Sequence, residues 1–541
     1  MEKFLKNNIK ISWRQIFWGL FYVFIFAICL SNTSSYLDPD FGWHLKTGQE
    51  IIAEKSVPHI NKVNYTLEGQ RWVDHEWLSE VFLYKNYEYF GYQGIEIIFS
   101  LLIVLIFFIL NYFIGKANGA NKNNLYLLAP IEIFGLIAAM PSFGVRLQEI
   151  GLLFFLLLLL IIYRYEQTKN YKVLWFLLPL LYLWSNLHGT FLIAFFIFGL
   201  FAGAKILEII LHKKWPNKFV EQKNVFSIKQ ILIFIGIATL SIITTLLTPY
   251  GLELYSFLIG YGNSYYLTAI SEWLPQWFFP FSYPQLLFIS FTLATIILSF
   301  YYSFKNWKNL KIFEILLIIA LAIMALKSRR HTQLLVIAAL PFIFNFIKNF
   351  LEITIPEKNN SKKSSITDKI SQSFIIIVLI ISIGSKIITT NHVKNPFTQF
   401  CGDYACAGIN FLKNNPQYDN ANIYNAYAWG GFMIWTYPER KIFIDGRMPQ
   451  MEYEQYTILQ EYKSFYKEDE IAAKIIKHNI GLFFLENKKE NIKLSWIEKN
   501  FFMINEDRVN SQKDELREYL NASPDWEIVY QDEVSIIYAK K

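Results

Sequence analysis

Long uncharged apolar runs dominate the pattern of this chain. Leu101 to Ile114, Gly151 to Tyr163 and Phe191 to Gly203 are the clearest. With weakly polar flanks each extends to about 20 residues, the length that crosses a bilayer as a helix. Only closed hydrogen-bonding structures survive in hydrocarbon, and the period-2 alternation of a membrane barrel is absent, so these runs predict helices. Spans are predicted near 15–33, 95–114, 125–141, 149–163, 172–187, 190–211, 230–248, 285–303, 312–327, 332–350 and 372–390. Lys3, Lys6, Lys10 and Arg14 precede the first run, which is expected to be an uncleaved helix with a cytoplasmic N-terminus.

Three polar regions interrupt the spans. Residues 34–94 and 249–284 form long outside loops, and residues 391–541 have the pattern of a soluble α/β domain. Within the latter, Ala421–Tyr424 and Lys441–Ile444 predict short strands, Asp469–His478 an amphipathic helix and Trp526–Tyr538 a terminal hairpin. The expected architecture is therefore an all-α polytopic membrane domain of about eleven helices over 1–390, followed by an extracytoplasmic α/β domain over 391–541.

Charge supports that topology. Of 541 residues, 53% are hydrophobic and the net charge is +7. The first 390 residues hold 33 basic and 22 acidic side chains, the remainder 18 and 22. The basic excess falls in alternate short loops, such as Arg164, Lys169 and Lys172, or Lys213 and Lys214. That alternation follows the positive-inside rule and gives no basic face for nucleic acid. The loops predicted outside after residues 141, 187 and 248 carry only Arg146 as a cation. Lys327, Ser328, Arg329, Arg330 and His331 break the rule. Cations kept on that side suit an anion such as a phosphate at the membrane surface, or lipid headgroups; the other reading is that two spans are misplaced. Cys401 and Cys406 lie where a disulfide is chemically allowed, and their pairing is left open; Cys29 is expected to be buried in the first span.

Several outside residues carry candidate chemistry. Asp38-Pro39-Asp40 places two carboxylates just beyond the first span, a hard-oxygen pair suited to Mg²⁺ or Mn²⁺, or a plain helix-ending turn. His44 follows them. Arg71 to Leu78 has the alternation of an interfacial helix with Trp72 and Trp77 at headgroup depth, leaving Asp74, His75 and Glu76 as candidate acid, base or binding groups. Glu272 lies in the second loop, while Arg146 and His188 sit at predicted outer helix ends. In the tail, Trp429-Gly430-Gly431 offers close backbone approach beside an aromatic platform, and Asp445-Gly446-Arg447 a turn at a strand edge.

These pieces, in order, resemble the GT-C class of membrane glycosyltransferases, which includes the oligosaccharyltransferase catalytic subunit and the protein O-mannosyltransferases. Asp38-Pro39-Asp40, with Trp43 to Gly48 after it, matches the acidic motif of the first outside loop. Ile270-Ser271-Glu272 matches a later Ser-x-Glu type motif, and Ala428-Trp429-Gly430-Gly431 with Arg440 and Asp445-Gly446 is similar to a relaxed Trp-Trp-Asp-Tyr-Gly motif. Gly430 replaces its acid, and beside Arg146 only Glu149 stands where a second acidic pair is expected.

The resemblance implies inverting transfer of a sugar from a polyprenyl-phosphate carrier to a glycan, lipid or protein acceptor outside the cell membrane. Asp38, Asp40 and Glu272 would be catalytic, with Asp38 and Asp40 also the metal ligands. Lys327, Arg329, Arg330 and His331 would bind the donor phosphate. Trp429, Gly430, Gly431, Asp445 and Arg447 would meet the acceptor. Two rival readings are a transporter or flippase for a lipid-linked or anionic substrate, and a catalytically silent glycolipid-binding protein.

Overall fold

The computed structural model describes residues 13–34, 36–117, 128–216, 225–262, 265–278, 283–303, 311–354, 400–448, 450–467, 470–487, 496, 499 and 514–541. Up to residue 354 the elements are helical: α1 (Trp13–Thr33), α2 (Phe41–Glu54), α3 (Trp77–Ala117), α4 (Leu128–Ala139), α5 (Gln148–Thr168), α6 (Leu177–Leu187), α7 (Ile193–Lys214), α8 (Ile228–Thr244), α9 (Glu253–Gly262), α10 (Tyr266–Ala269), α11 (Tyr283–Ser303), α12 (Ile312–Lys327) and α13 (Thr332–Thr354). Among the described residues six segments are long and apolar enough to cross a bilayer: Gln15–Thr33, Trp77–Lys116, Gln148–Thr168, Gly189–Lys214, Tyr283–Tyr301 and Arg329–Phe350. Two more, Leu128–Ser142 and Ile228–Thr244, are apolar but shorter. By that measure the count of eleven is not established, and the span expected at 372–390 lies outside the described residues.

α3 is two helices in line of sequence. Gly91 sits at φ 63°, where an L side chain is strained, and divides a polar stretch after Trp77 from the apolar run predicted at 95–114. The helices pack through one apolar core that includes Phe21, Trp184, Phe201 and Leu321.

The tail builds a four-stranded sheet. Its strands are β1 (Asn422–Asn425), β4 (Ile480–Glu486), β5 (Trp526–Gln531) and β6 (Ser535–Lys540), in the order β1-β4-β6-β5. β1 runs parallel to β4, and β6 is antiparallel to both β4 and β5. Two short strands, β2 (Glu452–Tyr453) and β3 (Tyr456–Thr457), pair separately. The expected first strand, terminal hairpin and helix (here Ile471–Lys477) are all present. Cys401 and Cys406 form a disulfide, and Cys29 is a buried thiol.

Two expectations fail, and for one reason. Lys441–Ile444 joins no sheet strand. Ile442 instead bridges Asn64 of the first loop, donating its N–H to Val63 O at 3.1 Å and accepting from Tyr65 N–H at 3.2 Å. The stretch from Arg71 is no interfacial helix either. Ile60 and Arg71 form an antiparallel bridge, Trp72 N–H donates to His59 O at 3.0 Å, and helix begins only at Trp77. Both segments spend their backbone groups on tertiary partners that local pattern does not reveal. In consequence the first loop and the tail share one core, with Phe41, Trp43, Leu67 and Trp72 packed among Trp429, Phe432, Ile442 and Ile444.

Candidate functional site

Four segments remote in sequence meet where α1 and α12 end and α5 and α13 begin. Asp38 follows α1, Arg146 precedes α5, Glu272 lies in the turn Ser271–Trp273, and Arg329 and Arg330 form the turn before α13. Arg146 joins the carboxylates: its Nε donates to Asp38 Oδ2 at 2.8 Å, and its Nη1 contacts Glu272 Oε1. Arg330 Nη1 approaches Glu272 Oε2 at 3.9 Å and its guanidinium lies 5.0 Å from the Trp273 ring centre. Backbone and hydroxyl bonds tie the two turns together, Ser328 Oγ donating to Glu272 O at 3.2 Å and Arg329 N–H to Leu274 O at 3.3 Å. The arrangement opens on a cavity of about 280 Å³. Arg146, Glu272, Arg329 and Arg330 line it together with Tyr36, Asn32, Gln148 and Gln285.

Asp40 stands beside this group. Its N–H donates to Asp38 Oδ1 at 2.9 Å, and its own Oδ1 accepts from Trp43 Nε1 at 2.8 Å. Burial, and then the neighbouring Asp38 charge, push Asp40 up to about 8. Burial also raises Asp38, with Arg146 opposing it. For Glu272 burial acts in the same direction but is outweighed by Arg146 and Arg330, which hold it below the usual carboxylate range.

A second polar cluster surrounds Glu76. His188 Nε2 is 2.9 Å and His75 Nε2 3.5 Å from Glu76 Oε1, while His44 Nε2 is 3.6 Å from Oε2. His44 Nδ1 lies 2.9 Å from Glu80 Oε1. His188 Nδ1 accepts the Thr190 backbone N–H at 3.0 Å, which places its own proton on Nε2 and makes it a donor to Glu76. Burial raises Glu76, but the His188 and His75 rings outweigh it and the group ends well below the usual range. Burial lowers both His44 and His75 to about 4, so both rings are neutral at pH 7. Burial holds Asp74 up to about 7.

No protein-family model matches the chain. No curated protein matches it either. Among solved structures, the apo oligosaccharyltransferase of Archaeoglobus fulgidus aligns with a TM-score of 0.46 at 12% identity, over 88% of this chain and 70% of that one. The archaeal oligosaccharyltransferase AglB of the same organism, in complex with an inhibitory peptide and a dolichol-phosphate, gives 0.47 and 13% over the same shares. Both are what this chain is similar to, and the chemistry below rests on its own residues.

The remaining expected site residues fall elsewhere. Lys327 is exposed at the end of α12 and is not among the residues lining the cavity. His331 packs its ring 6.0 Å from Trp273, behind the cation turn. The tail residues expected to meet an acceptor are buried at the junction with the first loop. A Cβ on Gly431 would stand 2.2 Å from Pro39 O, and one on Gly430 2.6 Å from Ile444 O. Trp429 is 2% exposed and donates Nε1–H to Asp403 O at 3.0 Å. Asp445 pairs with Arg447 at 2.8 Å, and Arg447 Nη2 also donates to Asn64 Oδ1 at 3.0 Å. Arg447 lies over Trp72 at 4.7 Å, and Trp77 Nε1 donates to Asn186 Oδ1 at 3.1 Å. Close approach is what Gly430 and Gly431 provide, but toward Pro39 and Ile444. Arg440 likewise spends its guanidinium on the Tyr418 and Asp419 carbonyls.

The carboxylates do not form a metal cradle as they stand. Both Asp38 oxygens and one Asp40 oxygen already accept hydrogen bonds, and Glu272 faces two guanidinium groups. Among the described residues no group of three or more His, Cys, Asp or Glu is arranged to hold a metal. Glu149 is buried, accepts Gly144 N–H at 2.7 Å and does not reach the cavity. Asn32, Tyr36 and Gln285 line the cavity without any sequence signal that singled them out.

Proposed function

We propose that the protein is a membrane glycosyltransferase that moves a sugar from a polyprenyl-phosphate-linked donor to an acceptor outside the cell membrane. One observation carries this reading: Arg146, Arg329, Arg330 and Glu272 line a single cavity at one end of the helix bundle, with Arg146 also paired to Asp38. Three guanidinium groups against two carboxylates leave a formal charge of +1, which suits one phosphodiester. Guanidinium forks bind phosphate oxygens through short charge-assisted bonds, so they hold the donor and stabilise the charge that grows on departing phosphate. Asp38 and Glu272 fix the orientation of Arg146 between them. Transporters place charges and broken helices at the bilayer midplane, whereas this set sits at helix ends.

The test is radiolabelled sugar transfer in membranes, with a panel of polyprenyl-phosphate hexoses as donors. Wild type consumes one of them; Asp38→Ala, expressed and inserted at wild-type level, loses at least about 10²-fold in rate, the scale on which one preorganised charged group acts. A wild type that consumes no donor across the panel refutes the reading. The orientation has its own check, since a reporter fused after residue 541 should register outside the cytoplasm.

A further inference from the structure

The carboxylates of the anion cavity are poorly placed to take a proton. Asp38 is committed to Arg146 and to the Asp40 N–H, and Asp40 Oδ1 to the Trp43 Nε1–H. A hydroxyl attacking a sugar needs a proton acceptor, and the Glu76 cluster supplies one.

Of its three rings, His75 is the one turned outward. Its side chain is 20% exposed, against 4% for His188 and 11% for His44. Nε2 faces the Glu76 carboxylate, which selects the tautomer with its proton there and leaves the lone pair on Nδ1. Gly189 makes room for this ring: a Cβ there would stand 2.9 Å from His75 Cδ2. The ring also lies near two aromatic residues, Phe257 at 5.6 Å and Tyr261 at 6.2 Å between ring centres. From Tyr261 the aromatic wall continues to Tyr266 at 5.5 Å and to Trp273 at 6.1 Å, the ring over which Arg330 lies. A single wall of rings therefore connects the imidazole to the cations proposed to hold the phosphate. Aromatic faces of this kind suit the apolar faces of sugar rings.

We propose that His75, oriented by Glu76, accepts the proton of a hydroxyl acceptor lying along this wall, so that the acceptor is an alcohol, such as a glycan hydroxyl, and not an amide. The proposal rests on the transferase reading above. In the step, the acceptor oxygen bonds to the anomeric carbon as the carbon–oxygen bond to phosphate breaks. The electron pair of that bond leaves on the polyprenyl phosphate, beside Arg330, and the hydroxyl proton passes to His75 Nδ1. Glu76, 3.5 Å away, stabilises the imidazolium as it forms. Burial keeps the ring neutral at pH 7 but weakens it as a base, and the Glu76 charge offsets part of that loss.

The experiment uses the full chain, polyprenyl-phosphate hexose as donor, and either an alkyl glucoside or an asparaginyl peptide as acceptor. Wild type should glycosylate the glucoside and not the peptide. His75→Ala should lose about 10²- to 10⁴-fold in that transfer, the usual range for a general base. Its affinity for polyprenyl phosphate, read by competition, should stay within about twofold, and added imidazole should restore at least about tenfold of the rate. His75→Asn, closer in size, should lose activity equally and guards against a folding defect. Transfer that survives both substitutions, absence of imidazole rescue, or glycosylation of the peptide alone overturns the role of His75 while the transferase reading stands. Consumption of no donor by wild type overturns both.

Discussion

Substituting Gly431 with alanine tests the junction between tail and first loop. The added Cβ would stand 2.2 Å from Pro39 O and 2.9 Å from Trp43 Cδ1, where ordinary contact starts near 3.4 Å. Pro39 O is backbone and cannot rotate aside, so the helix Gly430–Thr436 and the Asp38–Asp40 turn must part by about 1 Å. Overpacking of this kind costs about 1–3 kcal/mol. Alanine returns up to about 1 kcal/mol through helix propensity. With a rigid obstacle the net should be about 1–2 kcal/mol, a shift of about 5- to 30-fold in the docking equilibrium. Gly402→Ala is the control, because nothing lies within 4 Å of a Cβ there. Purified variants in detergent would be compared by chemical unfolding and by transfer rate. The Gly431 variant should lose both midpoint and rate, and the Gly402 variant neither. A Gly431→Ala protein with wild-type midpoint and rate would refute the claim that tail packing positions the acidic turn.

Two further outcomes follow from buried groups. Asp74 is held up to about 7 by burial, so the folded state binds a proton more tightly than the unfolded chain. Its contribution is fully present below about 3.9, the unfolded pKa, and is lost as pH rises toward 7. The stability of Asp74→Asn relative to wild type should therefore climb between pH 4 and pH 7 and level off above, read as unfolding midpoints; a flat difference refutes the assignment. Denatured but unreduced protein should take up one maleimide tag, at Cys29, and three after reduction. Three tags without reduction would remove the Cys401–Cys406 bond, whose closure of a short loop is worth about 2 kcal/mol.

How far the sequence reveals the site depends on where each residue sits. Apolar runs locate the helix ends, and charge alternation marks which ends share a side. Asp38, Arg329 and Arg330 lie at such ends and Glu272 in a loop expected on the same side, so a shared surface was legible although no local pattern links them. Arg146 was visible as the lone cation of its kind, but its role as the bridge between two carboxylates was not. The tail misled for a physical reason. Gly430-Gly431 beside Trp429 signals close approach without saying to what, and the partner, Pro39, is almost four hundred residues away. Lys441–Ile444 and Trp72 failed in the same way: extended geometry or an exposed-looking aromatic is local, whereas the surface that covers it is not. The cluster around Glu76 was half legible, its members named singly while the shared carboxylate emerged only from the fold.

The junction also sets a timetable for the molecule's birth. Thr66 bonds to Phe443 O across 377 residues, and Tyr404 reaches back to Leu37 O across 367. At ordinary rates of synthesis the partner of the first loop emerges roughly 20 to 75 s after the loop itself. Through that interval Phe41, Trp43 and Trp72 have only the early half of their core, such as Leu83, Tyr92 and Phe99, and lack the tail half. Until then that face of the nascent loop is uncovered, and the acidic turn lacks its close contacts with Gly431 and Gly446. A chain cut short before the tail would thus hold every residue lining the cavity and still lack the packing against Pro39 and Asp40.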